Sequence, residues 1–356
     1  MAENANSAPV SRSGRGCFGC FFGFTLAVLL LIAAVVAGVI GLVVLFTQYE
    51  EDSGLPEDAR SFKEEYVCGS KEDSAVKIAV VDVSGMIVSR SGSFSEEAES
   101  GAICARIRRA AADPDVAALI VNLNTPGGEV VAADEIYEEI RLFRQKTKKP
   151  AIAMMNSMAA SGGYYIAAAC KPIVANRLTM TGSIGVILST YNYRGLFDKI
   201  GLQAEVYTSG KMKDMLNGAR PRTPEEVRVV QDLVNNTYNV FVGIVSRSRN
   251  IPEAEIRNSV IGDGRVFDGE QALKLKLVDQ LGYFRDAAAL AAKEAELDGK
   301  PYMVIRYQEQ FSFIRQMAAA LMSRSSVPVN VSLEGKPFRG TFAPKRGMLY
   351  FLPADF

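Results

Sequence analysis

The sequence predicts an α/β domain that follows a single N-terminal transmembrane helix. From residue 76 onward, short apolar segments rich in β-branched residues alternate with segments whose apolar residues recur at helical spacing. Buried strands separated by helices are typical of βαβ crossovers around a parallel sheet. The transmembrane helix is predicted at residues 17–47, which belong to a stretch without any charged side chain between Arg15 and Glu50.

The uncharged stretch exceeds the roughly 20 residues that a helix needs to cross a bilayer. A cleaved signal peptide is the alternative. The apolar region of a signal peptide is only about 7 to 15 residues long, and no clean small-x-small cleavage site follows the stretch here. Arg12 and Arg15 precede the stretch, whereas Glu50 and Glu51 follow it. The positive-inside rule therefore keeps residues 1–16 in the cytoplasm and places the rest of this single-pass chain on the extracytoplasmic side.

Residues 48–75 are predicted to be a linker, because they are acidic and polar and lack a hydrophobic period. The folded domain is predicted to begin at residue 76. Its first elements, in order, are a strand at 76–88, a helix at 98–112, a strand at 117–123, a helix at 131–144, a strand at 151–156, a helix at 161–169 and a strand at 172–175.

A longer helix is predicted to begin after Thr223. Thr223 can cap it, Pro224 suits its first turn, and Glu226 can reach back to complete a capping box. Its apolar face is expected to belong to the core. That face consists of Val227, Val230, Val234, Tyr238, Phe241 and Val245.

The chain contains no histidine at any of its 356 positions. This excludes a Ser-His-Asp triad, a Cys-His pair and histidine-ligated zinc, and we predict neither a metal nor a cofactor. Lysine and arginine together number 40, as do aspartate and glutamate, so we expect no nucleic-acid partner. Cys68, Cys104 and Cys170 follow the predicted anchor, and their odd number leaves at least one thiol outside any intrachain disulfide.

Ser161 is the first candidate functional residue. It lies in the small-residue run Met158–Gly163, between a predicted strand and a predicted helix. The free N–H groups and the positive end of the helix dipole favour a developing oxyanion there. Because no histidine exists, a lysine would have to take the proton of a nucleophilic serine. Close helix packing is the alternative, since it also requires small residues.

Two glycine-containing motifs are further candidates. Asn124–Gly128 follows a predicted strand, and its paired glycines can adopt positive φ and expose a backbone N–H, as an oxyanion hole requires. A simple turn is the alternative. Thr181–Val186 suits a strand pressed against another backbone. Within it, Ser183 could orient an amine or only satisfy its neighbours.

Lys211 and Lys213 are the candidate bases, near a predicted strand end. A lysine acts as a general base only when it is neutral, which requires burial to lower a pKa of about 10.4 by several units. A solvated basic loop is the alternative interpretation.

Taken in their order along the chain, these motifs resemble the signal peptide peptidase A family in its short, membrane-anchored form. The order is a glycine pair, a serine among small residues, Thr181–Gly185 and Ser209–Asp214. The resemblance extends over residues 78–282 and includes Asp263–Phe267 and Ala272–Asp279. Four motifs in one order are far more specific than any single one.

The resemblance implies a serine/lysine protease domain at residues 76–323, with the fold shared by the Clp protease proteolytic subunit and the crotonases. Ser161 matches the family nucleophile, and Lys213 matches the family base because it stands three residues after Gly210. Ser183 matches a hydroxyl that holds the lysine, and Gly128 matches an oxyanion N–H.

Gly162 directly follows the candidate nucleophile, so general geometry suggests its N–H as a second oxyanion donor. The family usually has serine where this chain has Thr125. Residues 324–356 match no family motif, and we consider a flexible extension, an assembly arm or a segment that the enzyme itself cuts.

The resemblance also implies a setting and partners. We expect a protein of the bacterial inner membrane, a homo-oligomeric ring whose subunits share active sites, and substrates that are remnant signal peptides and other apolar peptides. Three alternatives are a stomatin-operon-type membrane protease with specific protein partners, a crotonase-type acyl-CoA enzyme and a non-catalytic anchored scaffold. An exported domain would meet no coenzyme A, which disfavours the second of these.

Overall fold

The computed structural model describes residues 30, 31, 38, 62–72, 75–89, 97–309 and 349–351. Apart from the first three, these residues belong to one folded unit. Its strands are β1 Phe62–Gly69, β2 Val76–Ser84, β3 Ile87–Val88, β4 Ala98–Glu99, β5 Val116–Thr125, β6 Gly128–Glu129, β7 Ala151–Ala160, β8 Ile173–Ala175, β9 Met180–Gly182, β10 Ile187–Leu188, β11 Val266–Phe267, β12 Gln280–Leu281, β13 Tyr302–Glu309 and β14 Leu349–Phe351.

The helices of the same unit lie between these strands. They are α1 Ser100–Ala112, α2 Val130–Thr147, α3 Gly162–Ala167, α4 Arg194–Ile200, α5 Pro224–Arg249, α6 Glu253–Asn258, α7 Gly269–Lys274 and α8 Phe284–Glu294.

The main sheet has the strand order β1-β13-β2-β5-β7-β8-β12. All neighbours from β13 to β12 pair in parallel, whereas β1 runs antiparallel to β13 and β11 runs antiparallel to β9. Beyond β8, β9 pairs in parallel with β7, and β11 pairs with β9. The predicted α/β class with a parallel sheet is therefore confirmed.

Helices cover both faces of this sheet, which explains why its central strands read as continuous apolar runs. On one face, Ile107 of α1, Phe143 of α2 and Tyr164 of α3 join the larger core cluster. On the other face, α8 contributes small side chains such as Ala287 and Ala291, which pack with Ile120 of β5. Small residues allow α8 to lie close to the strands.

A second sheet lies where β2 and β5 end, with the strand order β10-β14-β6-β3-β4. β3 follows β2 after a turn at Gly85, and β6 follows β5 after Pro126 and Gly127. Both strands therefore continue from the carboxyl ends of the parallel strands. This edge is where ligand sites of parallel α/β sheets are found.

The capping box predicted for α5 is confirmed, because Thr223 accepts a hydrogen bond from the N–H of Glu226 and the Glu226 carboxylate accepts one from the N–H of Thr223. The prediction that the whole apolar face of α5 belongs to the core is wrong. Phe241 and Val245 are buried, but Val227 is half exposed (52%). The first half of α5 therefore does not pack into the body of the described chain.

Several predicted boundaries differ from the structure. The predicted strand at 76–88 is two strands, because Gly85 adopts a positive φ of 83° between them. The predicted linker at 48–75 contains β1, and the tail at 324–356 contains β14, so the described fold begins before residue 76 and continues after residue 323. The helix predicted at 161–169 is α3, which begins one residue later and leaves Ser161 outside.

Within the described residues, no helix has the length and apolar character needed to cross a membrane. The predicted anchor at 17–47 lies outside these residues, except for positions 30, 31 and 38.

Candidate active site

Ser161 joins the end of β7 to the start of α3 with an unusual backbone conformation. Its φ is 53° and its ψ is −112°, which corresponds to the first central position of a type II′ turn, a position dominated by glycine. A residue with a side chain is strained there, at a cost of about 1–3 kcal/mol. The turn is held by hydrogen bonds from the Ser161 N–H to the Gly182 carbonyl (2.8 Å) and from the Tyr165 N–H to the Ser161 carbonyl (2.9 Å).

The Ser161 side chain is fully buried, and its Oγ has no hydrogen-bond partner among the described residues. An unpaired buried hydroxyl costs about 1–3 kcal/mol. Close packing alone would not require this hydroxyl, since alanine or glycine would fill the position without an unpaired oxygen. A strained backbone and an unsatisfied hydroxyl at one residue favour the nucleophile over the packing interpretation.

The glycine turn after β5 lies directly against the Ser161 turn. A Cβ placed on Gly162 would come within 3.2 Å of the Gly127 Cα and 3.3 Å of the Gly128 nitrogen. A Cβ on Gly128 would lie 2.0 Å from the Ile87 carbonyl oxygen, so only glycine fits there. The structure thus brings both predicted oxyanion donors, Gly128 and Gly162, beside Ser161.

The fold accommodates Thr125, which stands where the family usually has serine. Its side chain is fully buried, and its Oγ1 accepts a hydrogen bond from the Gly127 N–H (3.1 Å). A serine hydroxyl could accept the same bond. The additional methyl group packs against the Cα side of Gly163, where an added Cβ would come within 2.8 Å of it. The threonine therefore keeps the hydroxyl that shapes the turn.

Ser183 lies next in the chain to Gly182, whose carbonyl accepts the Ser161 N–H. Ser183 is buried, has a φ of 50°, and donates its own N–H to the Arg265 carbonyl (2.7 Å). The predicted orienting residue Ser183 therefore lies beside the Ser161 turn, because its neighbour Gly182 accepts the hydrogen bond from Ser161.

The structure does not bring Lys213 to Ser161, because the Ser161 Oγ has no partner in the described part of the chain. Lys213 lies between α4 and α5 in residues 202–223, a segment without helix or strand, and its side chain is exposed. Its N–H closes a turn onto the Gly210 carbonyl (3.0 Å). Lys211, in contrast, has its Nζ 3.0 Å from the Glu225 carboxylate. Of the two candidate bases, Lys213 is thus the one without an ion pair in the described chain.

Sequence reasoning missed the residue that holds this lysine segment. Arg220 binds the carboxylate of Asp214, the residue after Lys213, through two nitrogens at 2.7 and 2.9 Å. Arg220 also donates to both carboxylate oxygens of Glu226. The sequence predicts the capping role of Glu226. It shows no periodic pattern between Asp214 and Glu226 that would indicate that both bind Arg220.

The backbone of β14 lies between the candidate oxyanion strand and β10. Phe351 pairs antiparallel with Gly128 of β6, and Leu349 pairs with Leu188 of β10. An extended peptide that adds a strand to an existing sheet is a common mode of peptide recognition. The position beside Gly128 can therefore accept a peptide in extended form.

Comparison with known proteins agrees with this geometry. Residues 143–298 match the model of peptidase family S49. The chain is 37% identical over 216 residues to a Synechocystis sp. protein that bears the name of a protease, a match that covers 61% of this chain and 76% of that protein.

Two longer relatives carry more specific names. Over 225 residues the chain is 32% identical to the chloroplastic serine protease SPPA of Arabidopsis thaliana, covering 62% of this chain and 33% of that protein. Over 212 residues it is 34% identical to protease 4 of Haemophilus influenzae, covering 59% of this chain and 34% of that protein. The chain thus spans about a third of each of these two relatives. With its sequence motifs, parallel sheet and serine turn, the chain belongs to peptidase family S49 and is a serine protease of the signal peptide peptidase type.

Proposed function

We propose that this protein is a membrane-anchored endopeptidase that degrades remnant signal peptides with Ser161 as nucleophile and Lys213 as general base. The observation that carries the proposal is the buried, unpaired Oγ of Ser161 on a strained backbone beside Gly128. A nucleophile needs such an unengaged hydroxyl, and a tetrahedral intermediate needs N–H donors near it.

In the proposed mechanism, the neutral Lys213 amine takes the proton from Ser161 Oγ as the oxygen attacks the peptide carbonyl. The N–H groups of Gly128 and Gly162 stabilise the oxyanion. The Lys213 ammonium then gives its proton to the departing amine, and an acyl-enzyme remains. Water attacks the ester while Lys213 accepts its proton, and the proton returns to Ser161 Oγ as the acid product leaves.

A lysine base must be desolvated to be neutral, and one chain leaves Lys213 exposed. We therefore propose a homo-oligomer in which Lys213 of one subunit enters the site at Ser161 of its neighbour. Exposed apolar side chains within and around the lysine segment support this, because association of subunits would remove them from water. They are Tyr191, Leu196, Ile200, Leu202, Val206, Tyr207, Val227 and Leu233.

The proposed substrates are apolar peptides in extended form. The pairing of β14 with β6 and β10 supports this, because backbone pairing of that kind accepts many sequences. A protease anchored at a bacterial inner membrane would meet such peptides where they are released.

Peptide cleavage by purified protein tests the assignment. Ser161→Ala and Lys213→Ala are expected to abolish cleavage, and Lys211→Ala is the matched control that retains it. A serine-reactive probe is expected to label the wild type but not Ser161→Ala. Full cleavage by either Ser161→Ala or Lys213→Ala would refute the dyad, and absence of labelling in the wild type would favour a scaffold.

Mixing two inactive variants tests the shared site. If Ser161→Ala and Lys213→Ala subunits co-assemble, some sites combine an intact serine with an intact lysine and regain roughly a quarter of the wild-type activity, since each site draws on two chains. No recovery in a co-assembled mixture would contradict sharing. The peptides that accumulate in cells carrying Ser161→Ala identify the substrates, and accumulation of one folded protein would favour the stomatin-operon type.

A further inference from the structure

The segment that carries Lys213 needs an anchor of its own, because residues 202–223 form neither helix nor strand. A catalytic group that is misplaced by about 1 Å can lose 10²-fold in rate. Besides the ion pair of Lys211 with Glu225, Arg220 connects this segment to α5, since it contacts Asp214 on one side and Glu226 on the other.

We propose that Arg220 is a positioning residue for the base, acting by holding Asp214 next to the start of α5 and away from Lys213. The proposal rests on the proposed function, in which Lys213 is the base. It assigns Arg220 two effects, one on the place of the lysine segment and one on the charge that Lys213 experiences.

The first effect follows from the geometry of the contacts. Arg220 Nη2 and Nε lie 2.7 and 2.9 Å from the two oxygens of Asp214. Its Nη2 and Nη1 lie 2.5 and 3.1 Å from the two oxygens of Glu226. Glu226 is buried, and its carboxylate also accepts the Thr223 N–H at 2.7 Å. The lysine segment is thus connected to a capping box that ends inside α5.

Arginine suits this place better than lysine. Its planar guanidinium offers five donors in a fixed fork, so that it can bind two carboxylates at once, whereas a lysine ammonium is a point charge. The same contacts with Arg220 lower the pKa of Asp214 to about 2, and also that of Glu226 to about 2. Both carboxylates therefore remain charged at every pH at which a lysine base is active.

The second effect concerns the carboxylate of Asp214. While Arg220 binds both of its oxygens, this carboxylate is engaged. Without Arg220 it would be a free negative charge one residue from Lys213. An opposite charge nearby favours the charged form of a lysine and raises its pKa. The segment's other charged residues include Lys211, which pairs with Glu225, Glu205, which accepts a hydrogen bond from Tyr207, and Arg222, which donates one to Thr190.

The pH dependence of cleavage separates this role from a purely structural one. Activity requires the neutral Lys213 amine, so a nearby carboxylate that favours the ammonium form moves the rising limb of the pH profile to higher pH. For Arg220→Leu we expect kcat to fall about 10²-fold and the midpoint of that limb to rise by about one pH unit. Arg220→Lys should recover part of the rate, because it retains the positive charge near Asp214.

The double variant Arg220→Leu/Asp214→Asn provides the decisive comparison. It removes the released carboxylate, so its midpoint should return to the wild-type value while kcat stays low. Arg257→Leu is the matched control, because Arg257 is equally exposed (32%) and binds Glu253 on α6. It should change neither parameter. Thermal unfolding of every variant at equal concentration verifies that each one folds.

The possible results distinguish the two proposals. Retained cleavage by Lys213→Ala would overturn both the base assignment and the role of Arg220. If Lys213→Ala is inactive but Arg220→Leu keeps the wild-type midpoint, only the role of Arg220 is overturned. If Arg220→Leu does not fold, a wild-type kcat in the folded variant Arg220→Lys would overturn it equally, because lysine cannot bind both carboxylates as arginine does.

Discussion

Replacing Ser161 by glycine is expected to give a more stable protein than replacing it by alanine. Both variants lack the hydroxyl, so their difference reports the backbone at φ 53° and ψ −112° together with the buried Cβ that only alanine keeps. Alanine retains a strain of about 1–3 kcal/mol in this region. Glycine removes the strain but gains about 0.4–1 kcal/mol of conformational entropy in the unfolded chain. Glycine also lacks the buried methyl group of alanine, which costs about 0.8 kcal/mol, so the net gain is about 0.5 kcal/mol.

Thermal unfolding measures this difference. For a domain of this size, about 0.5 kcal/mol corresponds to a shift in Tm of roughly 1–2 °C. The variants must be compared at one protein concentration, because association changes the apparent Tm of an oligomer.

Ala160→Gly is the matched control for the Ser161 variants. Ala160 is buried at the end of β7 and does not belong to the residues with positive φ. Glycine should therefore lower its stability by roughly 0.5–1 kcal/mol, the opposite sign. A Ser161→Gly protein that melts below Ser161→Ala, or an Ala160→Gly protein that melts above the wild type, would refute the argument from strain.

Three further predictions concern the Gly128 backbone, the removal of residues 324–356 and the acid dependence of unfolding. Gly128→Ala should lower kcat by about 10²-fold or more, because its Cβ would lie 2.0 Å from the Ile87 carbonyl oxygen and would displace the Gly128 N–H; normal kinetics would show that cleavage does not depend on the position of this backbone. Removal of residues 324–356 should lower KM for short peptides, since β14 occupies the position beside Gly128; an unchanged KM would exclude competition by β14. Because the pKa of Glu226 is lowered from 4.5 to about 2, its contribution to stability is complete above about pH 4.5 and is lost as pH falls towards 2; Glu226→Gln should remove this part of the acid dependence of unfolding.

The parallel strands and the start of α5 could be predicted because their signals are local. Apolar runs mark the buried strands, and the capping box of Thr223 lies within four residues. In contrast, β1 could not be predicted from its own residues. It is an edge strand with several exposed side chains, and its partner β13 lies more than 200 residues away. Such pairing leaves no local apolar pattern.

Within the candidate site, too, some positions could be predicted from the sequence and others could not. Gly128 and Ser161 follow neighbouring parallel strands, β5 and β7, so their proximity is a consequence of strand order. Lys213 belongs to no strand or helix, so its position cannot be predicted from strand order or helix periodicity. Its segment is held by Arg220 through side-chain contacts, which a search for periodic patterns does not detect.

The length of α5 determines how far the lysine segment lies from the body of its own chain. In its buried half Phe241 packs against Tyr165, with ring centroids 5.1 Å apart, and in its first turn Glu226 binds Arg220. The 15 residue steps from Glu226 to Phe241 span about 22 Å at 1.5 Å per residue. Insertion of four residues in the exposed half would move the lysine segment outward by about 6 Å without disturbing the buried end. In the proposed ring, the number of turns in α5 therefore sets how far Lys213 reaches towards the neighbouring subunit. This reach could be altered while each subunit keeps its fold.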